Sequence, residues 1–310
     1  FSWLANNKSP GYDNACWGYP FDWANPVKYL HASTPTVVAT SFVCKGIFDY
    51  YLLEKNPLAL ELLESSCNFI LQNLPRIETP DGICFSYSPL KKDCCYNASI
   101  LGAETLARLY AITKDDDIKK IIIKAVNFVL SSQHQDGHWN YSLDLTTGIE
   151  RSQIDFHQGF ILDSLHSCKE LADERNEKIT FALRRGSEFY YKFQFLPDGR
   201  SIWRHPRQWP VDIHNQAQGI ISFATLAYLF PLLFLTMASL TIYVLLNRLV
   251  ESQRIQIGLM RAMGYSQGTV MLHYLGFALV VGSVGSILGV FVGHWMANGY
   301  TELYVSQLNM

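Results

Sequence analysis

Two triplets of the same form place an imidazole two residues after a carboxylate. They are Asp155-Phe156-His157 and Asp212-Ile213-His214, and each comes just before a stretch with helical periodicity. A carboxylate and an imidazole held at the mouth of a helix can act as general acid and base. Aspartate is also favoured as a helix cap. The two aspartates and two histidines are therefore candidate catalytic residues, with capping as the alternative for the aspartates.

Aromatic and cationic side chains are concentrated in the loops near these triplets. The candidate ligand-binding residues are Asp22, Trp23, Trp139, Trp203, Arg204 and Trp209. An indole ring in such a loop can stack on a ligand or pack against neighbouring helices, and the sequence leaves both roles open.

The composition limits what these residues can do. The chain has 310 residues and a net charge of −2, which gives no argument for nucleic-acid binding. Its seven cysteines include no C-x-x-C pair, and no H-E-x-x-H sequence occurs, so we predict no cofactor and no metal site. The chain opens at Phe1 without a signal peptide, and we expect it to be a fragment.

A unit of roughly 55–60 residues recurs in the first part of the chain. Each copy is marked by an Asp-Gly turn followed by aromatic residues, at Asp81-Gly82, Asp136-Gly137 and Asp198-Gly199. A helical pattern precedes each marker, and a second helix of small and apolar residues opens after it at Asn97, His157 or His214. Because strand patterns are weak, we predict an all-α array of helical hairpins over residues 1–226, with these three residues on its concave side.

The repeated hairpins resemble a known family. Tandem helical hairpins with tryptophan-rich loops resemble an incomplete (α/α) toroid of the six-hairpin glycosidase superfamily, of the type associated with bacterial polysaccharide gene clusters. The sequences Cys16–Trp23 and Trp209–His214 carry this resemblance, which covers about residues 11–222. About four hairpins are recognisable, so the ring is expected to be incomplete.

The toroid resemblance implies a glycan or oligosaccharide ligand. In such toroids the loops before the inner helices face the central cavity, which implies acid–base chemistry on a sugar at the two triplets. The tryptophans would stack on pyranose faces, and Arg204, His205 and Arg207 would hold an acidic sugar group. Toroids also include hydrolases, lyases, epimerases and catalytically silent relatives, so whether this part is an enzyme stays open.

Residues 227–310 have a different composition. Phe223–Leu246 contains no charged residue and Val270–Trp295 contains only two histidines, and each is long enough to cross a hydrocarbon core of about 30 Å. We predict two transmembrane helices that pack through Gly285 and Gly289. Three arginines against one glutamate in the stretch between them favour the cytoplasmic side for that loop. A generic two-helix anchor is the alternative.

The stretch between these helices resembles the FtsX-like permease domain of ABC transporters. Its sequence is RLVESQRIQIGLMRAMGYS over residues 248–266. The resemblance implies a bacterial inner-membrane protein whose coupling segment, at 248–266, contacts an ABC ATPase subunit. The residues that would make this contact are Glu251, Arg254, Gly258, Arg261 and Gly264. Ile255, Leu259 and Met263 recur at the spacing of a single apolar helix stripe.

The two parts predict opposite sides of the membrane for the toroid. A cytoplasmic arginine-rich loop places the toroid outside, yet its odd, unpaired cysteines favour a reducing compartment. No polar linker separates the parts, so we expect a chimera of two unrelated proteins joined near 220–229. Two functions remain. One is a carbohydrate-active toroid joined to a permease fragment that does not transport. The other is an ABC permease subunit fragment with a passenger domain and no catalysis.

Overall fold

The computed structural model describes residues 1–24, 28–80, 82–226 and 229–308. The contacts divide the chain into two compact units, Phe1–Leu226 and Ala227–Met310. Each unit is described by itself.

The first unit is mostly helical, as predicted. Its helices are α1 (Ser2–Asn6), α2 (Val37–Glu54), α3 (Pro57–Asn68, continued by a π-helical turn over Phe69–Asn73), α4 (Tyr96–Thr113), α5 (Asp116–Ser131), α6 (His157–Ala172), α7 (Glu177–Gln194) and α8 (Ile213–Leu226). Helices α2, α4, α6 and α8 pack on one another in chain order and form an inner row. Helices α3, α5 and α7 each pack against the preceding inner helix and form an outer row.

Short, well-capped turns connect each inner helix to its outer helix. Lys55 ends α2 and Lys114 ends α4, both with a left-handed backbone. The side chains of Asn56, Asp115 and Asn176 then accept hydrogen bonds from the first backbone N–H groups of α3, α5 and α7. These caps satisfy donors that a helix start leaves unpaired, which explains why the hairpins turn at these residues.

Glycines let inner helices lie close to their neighbours. A Cβ atom on Gly159 of α6 would lie 2.5 Å from Cγ of Gln218 on α8. A Cβ atom on Gly219 would lie 2.3 Å from the ring of Phe195. Neither distance is possible for a real side chain, so glycine sets the spacing of these elements.

Two of the marker glycines, Gly82 and Gly137, pack against the outer helix of the next hairpin, while Asp81 of the first marker lies outside the described residues. Gly82 and Gly137 have positive φ angles of 150° and 106°. A Cβ atom on Gly82 would lie 2.1 Å from the carbonyl oxygen of Lys124, and one on Gly137 would lie 2.3 Å from that of Arg185. Both turns therefore need glycine for backbone freedom and for space.

The long loops contain short strands that the sequence analysis did not predict. They are β1 (Trp23–Ala24), β2 (Tyr29–Leu30), β3 (Arg76–Thr79), β4 (Gly82–Phe85), β5 (Cys94–Cys95), β6 (Ser142–Leu143) and β7 (Glu150–Arg151). They pair antiparallel as β1-β2, β3-β4 and the sheet β5-β6-β7. Runs of two to four residues are too short to show the alternation by which strands are recognised.

The second unit contains helices α9 (Leu229–Ser252), α10 (Arg254–Ala262) and α11 (Gln267–Leu308). Within the described ranges, we find no helix with the length and apolar character needed to cross a membrane. The described residues do not test the prediction that the long helices pack through Gly285 and Gly289, which stays a prediction. Among the described residues, no atom lies within 4 Å of a Cβ atom placed on either glycine.

Candidate functional site

Asp155 lies at the end of the loop before α6 and is 2% exposed. Its Oδ1 accepts hydrogen bonds from Nδ1 of His157 and, at 3.2 Å, from the backbone N–H of the same residue. Its Oδ2 accepts a hydrogen bond of 2.8 Å from the Gln153 amide. Both carboxylate oxygens are therefore committed to partners within the chain.

The surroundings of Asp155 keep it ionised. Burial alone would raise the pKa of this carboxyl, but the hydrogen bond and positive charge of His157, with the Gln153 amide, hold the pKa below its ordinary value. The Arg204 guanidinium adds an ion pair, with Nε 3.4 Å from Oδ2 of Asp155. This Nε makes no hydrogen bond within the described residues, so the contact is electrostatic.

His157 has a second ring nitrogen, Nε2, that Asp155 does not bind. The carboxylate of Asp155 binds Nδ1, which leaves Nε2 as the atom that can exchange a proton with a ligand. The rings of Phe156 and Tyr141 lie 4.2 and 4.8 Å from the imidazole. A carboxylate and two rings thus fix the orientation of His157.

The second triplet has the same backbone geometry but a different side-chain arrangement. Oδ1 of Asp212 accepts a hydrogen bond of 2.9 Å from the backbone N–H of His214, which caps α8. The His214 ring is exposed and stacks on the Phe156 ring, with the centroids 4.9 Å apart. Phe156 therefore contacts both histidines, and the structure brings the two triplets together.

The first loop contains its own aromatic cluster. The Trp23 ring stacks on Tyr87 at 6.1 Å. Burial, followed by the neighbouring Tyr19 hydroxyl, raises the pKa of Tyr87. Asp22 beside Trp23 accepts hydrogen bonds from the Tyr29 hydroxyl at 2.5 Å and the Ala32 N–H at 2.7 Å.

The other tryptophans occupy different environments. Trp139 is fully buried, donates from its indole N–H to the carbonyl oxygen of Val129 at 2.8 Å, and has no ring face open to a sugar. The sequence left open whether this ring stacks on a ligand or packs against helices, and its burial agrees with packing. Trp203 is half-buried beneath the Arg204 guanidinium, 4.7 Å from the ring centroid, and Trp209 is 63% exposed.

A buried polar cluster in the inner row was missed by the sequence analysis. Glu104 of α4 forms an ion pair with Arg108 and accepts a hydrogen bond of 2.7 Å from Ser164 of α6. Asp163 of α6 accepts one of 2.6 Å from Gln218 of α8, and burial raises its pKa to about 6. In the sequence, Arg108 follows Glu104 by four residues, a spacing that predicts an ion pair on one face of a helix. Because such pairs are usually exposed, the spacing did not predict that this one is buried.

The residues proposed for ATPase coupling surround α10. Glu251 lies in the last turn of α9, whereas Arg254, Gly258 and Arg261 lie in α10. Gly264 has a φ of +94° and directs its N–H to the carbonyl oxygen of Arg261 at 3.1 Å, which ends the helix. The apolar stripe of Ile255, Leu259 and Met263 is exposed.

Comparison with protein families finds a match to one part of the chain. Residues 228–309 match the FtsX-like permease C-terminal family. This FtsX-like segment includes the three helices of the second unit. A comparison with curated protein sequences finds no match.

Solved structures match the helical architecture. A GH76 α-mannanase from Bacteroides thetaiotaomicron has a TM-score of 0.51 and 16% sequence identity, over 64% of this chain and 55% of that one. Cellobiose 2-epimerase from Bacillus thermoamylovorans has a TM-score of 0.51 and 11% identity, over 61% and 53%. The chain spans just over half the length of these structures. The predicted resemblance to six-hairpin glycosidases is confirmed for the fold.

Proposed function

We propose that the unit Phe1–Leu226 is a carbohydrate-active domain that binds a glycan at the start of α6. The hydrogen bond from His157 to the buried Asp155 carries the proposal, because it holds an imidazole in one orientation at the end of a loop. The α-mannanase and the epimerase with similar folds are named for activities on carbohydrates. The fold likeness makes a sugar the natural ligand class to test.

In this proposal His157 exchanges the proton and Asp155 positions it. The lowered pKa of Asp155 makes this group a poor acid, but an ionised carboxylate on Nδ1 stabilises the imidazolium that forms when Nε2 accepts a proton. Nε2 could take a proton from a sugar carbon or hydroxyl, or give one to a leaving oxygen. His214 and Asp212 lie on the other side of Phe156 and would contact a second part of the ligand.

Tryptophan rings would supply the binding surface. Trp209 is exposed, and Trp203 and Trp23 are half-buried, so each can offer aromatic surface of the kind that sugars stack on. Asp22 has both carboxylate oxygens bound by the protein, so a positioning role for the Trp23 loop suits it.

The test is a direct assay of the full chain. Neutral and acidic oligosaccharides are incubated with the purified protein, binding is measured by calorimetry, and products are identified by mass spectrometry. The proposal requires binding of at least one saccharide that is lost when His157 and Trp209 are replaced. Binding without turnover would leave a carbohydrate-binding domain, and absence of both would refute the proposal.

We propose for the second unit a membrane-associated permease-like segment. The family match supports this, as do the two long uncharged stretches of the sequence. By resemblance the segment would lie in a bacterial inner membrane with two spans and would present α10 to an ABC ATPase. Three helices are too few to enclose a transport path, so we propose that this segment does not transport by itself.

Two further proposals concern the whole chain. One is that it is a chimera, whose junction lies near residues 220–229. The other, and the alternative function, is that the chain is an ABC permease subunit fragment in which the first unit is a passenger without catalysis. The exposed apolar stripe on α10 favours the alternative, because an ATPase partner would cover it.

A further inference from the structure

A small cavity with cationic walls adjoins the aromatic cluster beside His157. Its volume is about 270 Å³, close to the lower limit of about 300 Å³ for small-molecule pockets. The sheet β5-β6-β7, the turn after β6 and the loop before β5 form its walls. This size suits one sugar residue or its substituent.

The charges around the cavity are unbalanced. Its lining contains four cationic side chains, from Lys28, Lys91, Lys92 and Arg151, and only two carboxylates, from Asp93 and Asp144. The chain as a whole has a net charge of −2, so the positive charge around the cavity is opposite in sign to the net charge of the chain.

Both carboxylates in the cavity wall are already bound by the protein. Asp93 accepts the Tyr87 backbone N–H at 2.8 Å with one oxygen and forms an ion pair with Lys28 at 2.5 Å with the other. Asp144 accepts the backbone N–H groups of Thr146 and Thr147 at 2.8 and 3.0 Å and holds the turn after β6. These contacts reduce the capacity of the carboxylates to neutralise the other cations.

Arg151 is the best-positioned of the remaining cations. It lies on β7, is half-buried, and its guanidinium lies 5.3 Å from the centre of the Tyr141 ring. No ion pair to Arg151, Lys91 or Lys92 occurs within the described part of the chain. A guanidinium held over a ring is well oriented for a planar or tetrahedral oxyanion.

Tyr141 connects the cavity to the proposed catalytic histidine. Its ring lines the cavity and also contacts the His157 ring, with centroids 4.8 Å apart. A ligand group in the cavity would therefore lie one aromatic ring away from His157. Arg204, which the sequence suggested for an acidic sugar group, is instead engaged by Asp155.

We propose that this cavity binds the anionic group, a carboxylate or a sulfate, of an acidic sugar residue in the glycan bound at His157. Arg151 contacts the oxyanion, and Lys91 and Lys92 add positive charge at the mouth. This inference rests on the proposed function, because it specifies the class of glycan that the same site binds.

Binding to the full chain, purified in mild detergent, tests the proposal. The probes are hexuronate oligosaccharides from pectate and alginate, sulfated oligosaccharides from carrageenan, and neutral cello- and manno-oligosaccharides, with sodium acetate and sodium sulfate as free anions. We expect at least tenfold tighter binding of one acidic series than of the neutral series, and weaker binding at higher salt. The series that binds identifies the anionic group.

The variants Arg151→Gln and the double change Lys91→Ala with Lys92→Ala should each remove most of this preference. Lys119→Ala, on the outer helix α5, is the matched control and should retain it. Circular dichroism and thermal unfolding check that Arg151→Gln is folded. Because Lys91 and Lys92 are exposed, the double lysine variant is a second test that does not depend on Arg151→Gln folding.

The outcomes separate this inference from the proposed function. Equal binding of neutral and acidic saccharides, unchanged in the variants, overturns the cavity assignment and leaves the glycan-binding proposal standing. Binding of free acetate or sulfate as tightly as of the oligosaccharides overturns the sugar assignment. Binding of no saccharide overturns both proposals.

Discussion

At the residue scale, the two Asp-x-His triplets have the same backbone turn but different side-chain environments. In each, the aspartate accepts the N–H two residues later. Only in the first triplet does the histidine side chain also bind the carboxylate. Burial explains the difference, since Asp155 is 2% exposed and needs partners for both oxygens.

The first prediction concerns Asp155 and His157. His157→Gln and Asp155→Asn should each lower turnover of the active glycan by a factor on the order of 10² or more, because each removes proton exchange or its orientation. Initial rates over a pH series measure the effect. Asp198→Asn is a matched control, because Asp198 also accepts a hydrogen bond from the backbone N–H two residues later, at 3.1 Å, but lies at an exposed turn. Equal losses in all three variants would indicate a folding effect and refute the catalytic roles.

The second prediction concerns the pH dependence of stability. Burial raises the pKa of Asp163 to about 6, so the folded state binds its proton more tightly than the unfolded state does. The resulting stabilisation is fully present below about pH 4, the ordinary aspartate value, and is lost as the pH rises through 6. Relative to the unmodified protein, Asp163→Asn should therefore gain on the order of 3 kcal/mol in free energy of unfolding between pH 4 and pH 8.

Urea unfolding at the two pH values measures this gain. Asp117→Asn is the control. Its hydrogen bond with Lys120 lowers the pKa of Asp117, so removing it should change stability with pH in the opposite direction. A pH-independent effect of Asp163→Asn would show that folding does not raise the pKa of Asp163.

At the element scale, the repeated hairpin is what the sequence specified best. The helical pattern before and after each Asp-Gly marker predicted the paired helices, and in the second hairpin Asp115 caps α5 where the chain turns. Trp139 could not be placed, because its burial depends on α5 and α7, which lie on either side of its loop in the chain. Its indole N–H binds Val129, and its ring would contact a Cβ atom on Gly186 at 2.8 Å.

The short strands and the cationic cavity could not be predicted for a similar reason. Cys94, Leu143 and Glu150 pair in one sheet although nearly 50 residues separate the first pair. Local patterns carry no information on such pairings when each strand is two residues long. Arg151 and Lys91 line the same cavity because these strands pair, so their proximity could not be predicted from the sequence.

The third prediction compares two Asp-Gly turns. Gly137→Ala and Gly199→Ala both place a side chain at positive φ, which costs roughly 1–2 kcal/mol. At Gly137 the new Cβ would also meet the Arg185 carbonyl oxygen at 2.3 Å, whereas at Gly199 nothing described lies within 4 Å. Gly137→Ala should therefore lower the free energy of unfolding by roughly 1–3 kcal/mol more than Gly199→Ala. Equal effects would show that the hairpins do not pack as described.

At the scale of the whole molecule, two units with different architectures share one chain. The first has a large core of buried apolar side chains, whereas the second exposes many large apolar side chains on its helices. Exposed apolar surface of this extent is typical of proteins that contact lipid or a partner.

The fourth prediction tests membrane association. If the FtsX-like segment enters a bilayer, the full chain expressed in a bacterium should remain with the membrane fraction after extraction with alkaline carbonate and dissolve only in detergent. A chain ending at residue 226 should be released by the same extraction. Release of the full chain by carbonate would leave ATPase docking or self-association as the reason for the exposed apolar side chains.

The last prediction concerns the junction between the units. The first unit has the fold of carbohydrate-active toroids and the second matches a permease family, and no polar linker separates α8 from α9 in the sequence. Domains that evolved together usually have an exposed linker between their folds. If the chain is a chimera created by misassembly, individual long DNA reads from the source should not cross the codons for residues 220–229 in one open frame. Reads that cross them repeatedly, together with a single transcript, would establish a natural fusion. The toroid would then be held at the membrane by its own permease-like segment, and its glycan would have to be sought at that surface.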